Sequence, residues 1–427
     1  MISKDKWAEI IRDFHEKKLP DIIPRTQKID FEMPIKRAIS LIGPRRSGKT
    51  FEMYYIIEKV RRKYGTDKAL YINFEKVEFQ GASSRDLSVM LETYYEIYPA
   101  NKGRKIWLFL DEIQNVTEWE RFVRSCLDDG IVVFLSGSSA KLLSKEIATS
   151  MGGRNMSYHI YPFSFREFLE ARKFEVKKFY SSQEKALLHS LLEEYLKYGG
   201  YPEAILYSKE RERIMQDIFD TAVYRDVIQR WKIRNSKMLK ELIRSLINSR
   251  EFSIHKFYNY LKSQGMKSSK NTLYKYADYL GDAFFIFFLK KHSLSHKKSE
   301  QSLPKIYLVD NGLLTLNSLD DKGRLLENLV FLELTRRSKK IAYYKNALNE
   351  EVDFVIKDGK SVKQLIQACY DTSNFMTLDR ETRVLVKASE EFKCKNLLIV
   401  NMHEEKEEKI NSLTVKFIPL WKWLLND

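Results

Sequence analysis

Leu41-Ile42-Gly43-Pro44-Arg45-Arg46-Ser47-Gly48-Lys49-Thr50 is the stretch that decides the fold. From Gly43 to Thr50 every fixed position of the pattern G-x-x-x-x-G-K-[ST] is met. The spelling has a physical reason. Glycines let successive backbone N–H groups turn inward around phosphates, the lysine reaches the outer phosphate oxygens, and the adjoining hydroxyl ligates Mg²⁺. The flanks agree, because Ala38-Ile39-Ser40-Leu41-Ile42 reads as a strand entering the loop and residues 50–60 read as a helix leaving it. The expected phosphate cradle is therefore Gly43, Pro44, Arg45, Arg46, Ser47, Gly48, Lys49 and Thr50.

Outward from the loop, Ile106-Trp107-Leu108-Phe109-Leu110 runs straight into Asp111 and Glu112. A continuous apolar run suits a central strand of a parallel sheet, buried on both faces. Carboxylates at its C-terminal end stand where open α/β sheets bind ligands. Thr50 and Asp111 are the expected metal residues, and Glu112 is expected to orient and deprotonate an attacking water. The next strand, residues 131–135, ends in Ser136-Gly137-Ser138-Ser139-Ala140, whose hydroxyls can reach a phosphate or its water. Arg154 follows the glycine pair Gly152-Gly153 and is a candidate arginine finger toward a neighbouring subunit. Lys49, Glu112, Ser136 and Arg154 form the expected catalytic set.

Composition bounds the remainder. At 427 residues and 44% apolar content, two to three cores can be buried. The three cysteines, Cys126, Cys369 and Cys394, form no C-x-x-C pair, so neither a disulfide framework nor a zinc site is expected. The longest apolar run, residues 283–289, falls far short of a membrane span, and no apolar segment follows the first residues as a leader would require. A cytoplasmic protein without membrane contact is the expectation. The formal charge of +16 is concentrated between Arg230 and Lys305, where 17 Lys or Arg face 5 Asp or Glu. Such a block is a footprint for a polyanion, nucleic acid first among candidates and duplex DNA favoured.

The fold class expected is α/β, organised in five parts. Residues 1–33 form a helix and an extended arm, able to pack across the core or a neighbouring subunit, and 34–160 a P-loop core with a parallel sheet. Helices at 165–172, 183–198 and 209–231 make 161–236 a helical lid, broken by the tight turn Gly199-Gly200-Tyr201-Pro202-Glu203, which is placed to report on the nucleotide. Residues 237–304 read as a winged helix: three helical patterns, then a strand pair within Ala283–Lys291, with Lys267, Lys270 and Lys275 around the third helix. Residues 305–427 return to α/β. Glu327 on a helix, Asp353 on one strand and Gln367-Ala368-Cys369 on the next approximate a Mg²⁺-dependent nuclease whose E-x-K element is missing. A neutral amide and a thiol replace the charged pair, so no cutting is expected.

Taken together, these motifs resemble a prokaryotic, largely archaeal family of AAA-type ATPases that fuses a P-loop domain to a C-terminal domain of unknown function with a restriction-endonuclease-like fold. The residues carrying the resemblance are Gly43 to Thr50, Leu110-Asp111-Glu112-Ile113-Gln114, Ser136 to Ala140, Tyr161-Pro162-Phe163-Ser164-Phe165-Arg166-Glu167-Phe168, Gly199 to Glu203, Leu326-Glu327-Asn328 and Glu351-Val352-Asp353-Phe354. The resemblance implies ATP and Mg²⁺ as cofactors, a sensor role for the serines from Ser136, and a homo-oligomer in which Arg154 acts in trans. Two functions follow as expectations. One is an ATPase that binds nucleic acid through the basic winged helix and uses hydrolysis for remodelling or loading. The other is an ATP-gated switch or scaffold acting on protein partners.

Overall fold

The computed structural model describes residues 2–137, 151–293, 295–316, 321–359, 361–410 and 412–426. Two compact units divide the chain at Tyr161/Pro162. Among the described residues no helix is long and apolar enough to cross a membrane.

The first unit is a five-stranded sheet. Its strands are β1 (Ala38–Ile42), β2 (Ala69–Asn73), β3 (Trp107–Asp111), β4 (Val132–Gly137) and β5 (Asn155–His159), all parallel, in the order β2-β3-β4-β1-β5. Every residue of β1 and β3 is buried, as continuous apolar runs covered on both faces require. Helices α1 (Lys4–Glu16), α2 (Lys49–Tyr64), α3 (Ser84–Ile97) and α4 (Trp119–Asp128) complete the unit. Ser3 caps α1 by accepting from the Lys6 N–H, and Ser83 with Asp86 forms a reciprocal capping box on α3. Trp7 of α1 is fully buried and stacks on Phe79, with ring centroids 5.5 Å apart.

The arm after α1 packs on its own core. Ile29 is buried in the same cluster as Phe14, Leu41 and Trp107, with Phe31 packed against it. The Trp107 indole N–H donates to the Phe31 carbonyl at 2.8 Å. Arg25 donates to the carbonyls of Ser47 and Tyr161. The arm thereby reaches the backbone of the phosphate-loop segment.

The second unit begins with helices Phe165–Ala171, Ser182–Tyr198, Pro202–Leu206 and Arg211–Thr221, the last continuing as a π-helical run over Ala222–Gln229. The Gly199-Gly200 turn is an internal joint. Gly199 is left-handed at φ +74°, and a Cβ there would stand 1.8 Å from the Asp310 carboxylate. Gly200 donates to that carboxylate at 2.7 Å and accepts from the Phe163 N–H at 2.7 Å. Burial pushes the Asp310 acid up to about 7, opposed by the N–H groups of Gly200 and Gly312. The turn is thus occupied by partners within its own unit, which accounts for both glycines without a nucleotide.

Helices Ser236–Ile247, Ile254–Ser263 and Lys270–Asp282 follow, three in number as the sequence patterns lead one to expect. The expected strand pair within Ala283–Lys291 is corrected. Ala283 and Phe285 donate back to Tyr279 and Leu280, Phe284 is left-handed at φ +54°, and the first half of the apolar run closes the helix. Only β6 (Ile286–Leu289) is a strand, and it pairs antiparallel with the distant β7 (Lys305–Leu308).

A mixed sheet finishes the unit, in the order β12-β13-β11-β10-β9-β8. Its strands are β8 (Lys340–Lys345), β9 (Glu351–Asp358), β10 (Ser361–Ala368), β11 (Leu397–Asn401), β12 (Lys406–Ile410) and β13 (Leu413–Pro419). β9 and β10 form an antiparallel pair, and β10, β11 and β13 run parallel. Helices Lys322–Arg336 and Phe375–Phe392 accompany the sheet.

Candidate nucleotide site

β1 delivers the chain into the loop at Ile42, whose carbonyl accepts from the Ile160 N–H at 2.7 Å. The chain beyond β5 comes so close that a Cβ on Gly43 would stand 2.1 Å from the Ile160 carbonyl oxygen, so only glycine fits. Arg46 at φ +61° and Gly48 at φ +98° bend the loop through left-handed conformations into the first turn of α2. Gly48 caps that helix with no side-chain acceptor, leaving the amide end of α2 with the electropositive character that anions seek.

Lys49 is 5% exposed, and its ammonium donates to the carbonyls of Gly43 at 3.1 Å and Pro44 at 2.8 Å. Thr50 Oγ1 donates to Asp111 Oδ2 at 2.7 Å. The sheet register explains that meeting. Ser136 of β4 pairs with Leu41 of β1 and Asp111 ends the adjoining β3, so all three lie at the edge from which the loop departs. Ser136 Oγ donates to Asp111 Oδ1 and accepts the Glu112 N–H at 3.1 Å, tying both carboxylate residues to one hydroxyl. Glu112 takes φ +53°, and Gln114 Nε2 donates to its carboxylate at 2.5 Å. Burial holds the Glu112 carboxyl above its ordinary range, against the pull of the Lys49 charge. A carboxylate held so is a better proton acceptor than one in water.

The structure therefore brings Lys49, Thr50, Asp111, Glu112 and Ser136 together. Ser138, Ser139 and Ala140 lie outside the described residues. Arg154 is not at this edge. It precedes β5, its carbonyl accepts from the N–H of Ala38 at 2.9 Å, and its guanidinium pairs with Asp128 at 2.5 Å. That is the N-terminal end of the strands, opposite the loop, so Arg154 adds nothing to its own chain's cradle.

Three contributions escaped the sequence reading. Tyr71 of β2 donates to Asp111 Oδ2 at 2.8 Å. Burial, reinforced by the Asp111 charge, keeps this phenol protonated and hence a donor. Its signal was a lone hydroxyl in an apolar strand, on the same face as Asn73, which pairs with Asp111. Arg25 anchors the arm on the Ser47 carbonyl, at 3.3 Å. Gln114 holds Glu112, although the two stand only two positions apart.

These residues fit a nucleotide phosphate chain with Mg²⁺. Ser47 Oγ, within the loop, is buried with no hydrogen-bond partner among the described residues, as expected of a group whose partner is a ligand. Thr50 and Asp111 offer the hard oxygens Mg²⁺ prefers. Among the described residues no group of three or more His, Cys, Asp or Glu is arranged to hold a metal.

Residues 35–169 match a family model described as an AAA domain, and the chain accordingly carries an AAA-type P-loop ATPase domain. Residues 189–322 and 322–423 match two domains of unknown function, DUF8612 and DUF4143. The chain is 40% identical over 399 residues to the uncharacterized protein MJ1544 of Methanocaldococcus jannaschii, covering 90% of this chain and 87% of that one. An uncharacterized protein of Haemophilus influenzae is 29% identical over 388 residues, or 89% and 92% of the two chains. Among solved structures, the Walker-type ATPase PABY2304 of Pyrococcus abyssi is 14% identical with a TM-score of 0.40, over 75% of this chain and 96% of that one. The Aeropyrum pernix ORC1 protein in complex with DNA is 14% identical with a TM-score of 0.31, over 74% and 91%. With two-fifths identity along nearly its whole length, the chain belongs to the family of MJ1544.

Proposed function

We propose that this protein is a Mg²⁺-dependent ATPase that binds duplex DNA through its basic region and couples hydrolysis to remodelling or loading. The observation that carries the ATPase reading is the convergence of Lys49, Thr50, Asp111, Glu112 and Ser136 on one edge of the parallel sheet. ATP supplies the phosphoryl group, and Mg²⁺ neutralises its developing charge. Lys49 exchanges the Gly43 and Pro44 carbonyls for phosphate oxygens. Thr50 turns its hydroxyl oxygen toward the ion, while Tyr71 and Ser136 keep the Asp111 carboxylate in place. Glu112 orients a water and accepts its proton, steadied by Gln114.

The DNA reading is supported by charge and by element order. Of the 17 cationic residues between Arg230 and Lys305, seven fall on the three short helices and the others on the segments around them, and the helices are followed by β6, the order of elements in a winged helix. Lys270 opens the third of these helices and lies over the Tyr258 ring at 5.5 Å, while Tyr260 and Tyr274 are each 48% exposed. Exposed aromatics among cations suit a nucleic-acid surface. The mixed sheet carrying Asp353 and Gln367, with Glu327 on the accompanying helix Lys322–Arg336, supports a restriction-endonuclease-like reading of the last module, without cutting.

The test is steady-state ATP hydrolysis with and without duplex DNA, alongside oligomer mass with and without nucleotide. Stimulation by DNA is expected, with DNA affinity falling as salt rises at a log–log slope of several units. Absence of DNA binding at low salt sinks that half of the proposal. Nucleotide-dependent assembly without it selects the second reading, an ATP-gated switch on protein partners. The far-edge position of Arg154 supports a role on a neighbouring subunit in a homo-oligomer. Mixing Arg154→Ala with Lys49→Ala subunits should restore part of the hydrolysis each lacks alone, through interfaces retaining both residues. No rescue in assembled mixtures argues against the finger.

A further inference from the structure

Arg45 stands third in the loop Gly43–Thr50, and its Nη1 donates to Glu75 Oε1 at 2.8 Å. Glu75 follows β2, and its N–H donates to Asn73 Oδ1 at 2.8 Å. Between those two residues, the Phe74 N–H donates to the Asp111 carbonyl at 2.9 Å. Asn73 pairs with Asp111 in the sheet, so Glu75 lies just beyond the strand ends that bear the carboxylates.

The strand order β2-β3-β4-β1 gives this pair its meaning. The loop leaves β1 and Glu75 follows β2, three strand spacings apart, or roughly 14 Å. Between them end β4, with Ser136, and β3, with Asp111 and then Glu112. The ion pair therefore spans the mouth of the nucleotide site, over the residues placed at the metal and the attacking water. The charge of Arg45 is felt there. Burial raises the Glu112 acid, opposed by Lys49 and, more weakly, by Arg45. The Arg45 side chain is 20% exposed and that of Glu75 40%. An ion pair so open to water is weakly held, and a guanidinium fork matches phosphate oxygens in both charge and shape.

We propose, on the ATPase reading above, that Arg45 is a catalytic residue, a cation from the chain's own loop that leaves Glu75 for the terminal phosphate of ATP. Glu75 holds the guanidinium over the site until the phosphate displaces it. In hydrolysis, Glu112 takes the proton of the water as the water oxygen bonds to the terminal phosphorus. The electron pair of the broken P–O bond leaves with ADP, and Arg45 offsets the charge on the phosphoryl oxygens in between. Arg154 stands at the opposite edge of the sheet and does not supply that charge within its own chain.

The experiment compares equilibrium binding of AMP-PNP, which keeps the terminal phosphate, with that of ADP, which lacks it, both with Mg²⁺. Single-turnover hydrolysis of ATP runs in parallel. Unlike Arg46, Arg45 takes no left-handed conformation, so alanine fits the loop backbone. Arg45→Ala should bind ADP as wild type does, bind AMP-PNP about ten-fold more weakly or worse, and hydrolyse ATP about 10²- to 10³-fold more slowly. Glu75→Gln removes the competing carboxylate and should tighten AMP-PNP binding by about two- to five-fold, with ADP binding unchanged. Wild-type hydrolysis by Arg45→Ala overturns the proposal, as does an AMP-PNP affinity that falls no further than that for ADP. Where Arg45→Ala fails to fold, Glu75→Gln decides, and AMP-PNP binding no tighter than wild type overturns the proposal. Wild type without hydrolysis ends the ATPase reading, and this catalytic role with it, whatever either variant does.

Discussion

Glu112→Gln should leave ATP bound and lower hydrolysis by about 10²- to 10⁴-fold, the range contributed by a positioned general base. The substitution is nearly isosteric, so the left-handed backbone at φ +53° and the Ser136 contact to the residue-112 N–H need not change. What disappears is the proton-accepting carboxylate, which burial holds above its usual range. Binding is expected to persist because Lys49, Thr50 and Asp111 are untouched. Single-turnover hydrolysis beside an equilibrium binding titration separates the two effects. Wild-type turnover would remove Glu112 from the chemistry.

Lys49→Ala acts one step earlier and should weaken ATP binding by about two orders of magnitude or more. Removing one partner of a buried, hydrogen-bonded charge pair costs about 2–5 kcal/mol, and each 1.4 kcal/mol is roughly ten-fold in affinity. Lys49 meets that description once its ammonium faces phosphate, since only 5% of the residue is exposed. The fold should tolerate the change, because the ammonium donates to carbonyls of its own loop. Titration with a fluorescent ATP analogue measures the loss, and unchanged affinity would sink the assignment.

Much of this site was legible because its signals are local. A phosphate loop needs glycines at set offsets, and a doubly covered strand needs an unbroken apolar run, so Gly43–Thr50 and Leu108–Asp111 announced themselves. The strand pair expected near residue 285 failed for a related reason. A short apolar run has the same composition whether it ends a helix or forms a ribbon, and the left-handed Phe284 decides between them. The Gly199-Gly200 turn was legible as a turn, but its partner Asp310 stands 110 positions further on.

What the sequence determined by itself was the set of short-range patterns: the loop, the apolar strands with their terminal carboxylates, the basic block and the missing E-x-K element. The tertiary structure decided which of these meet. Register alone puts Tyr71 and Ser136 on Asp111, and strand direction alone puts Arg154 at the far edge of the sheet. Pairing β6 with β7 buries Lys305 among carboxylates 22 to 48 residues away. The division has one physical cause. Backbone conformation and periodicity are written over a few neighbouring residues, whereas a charged side chain's partners are set by how distant strands align.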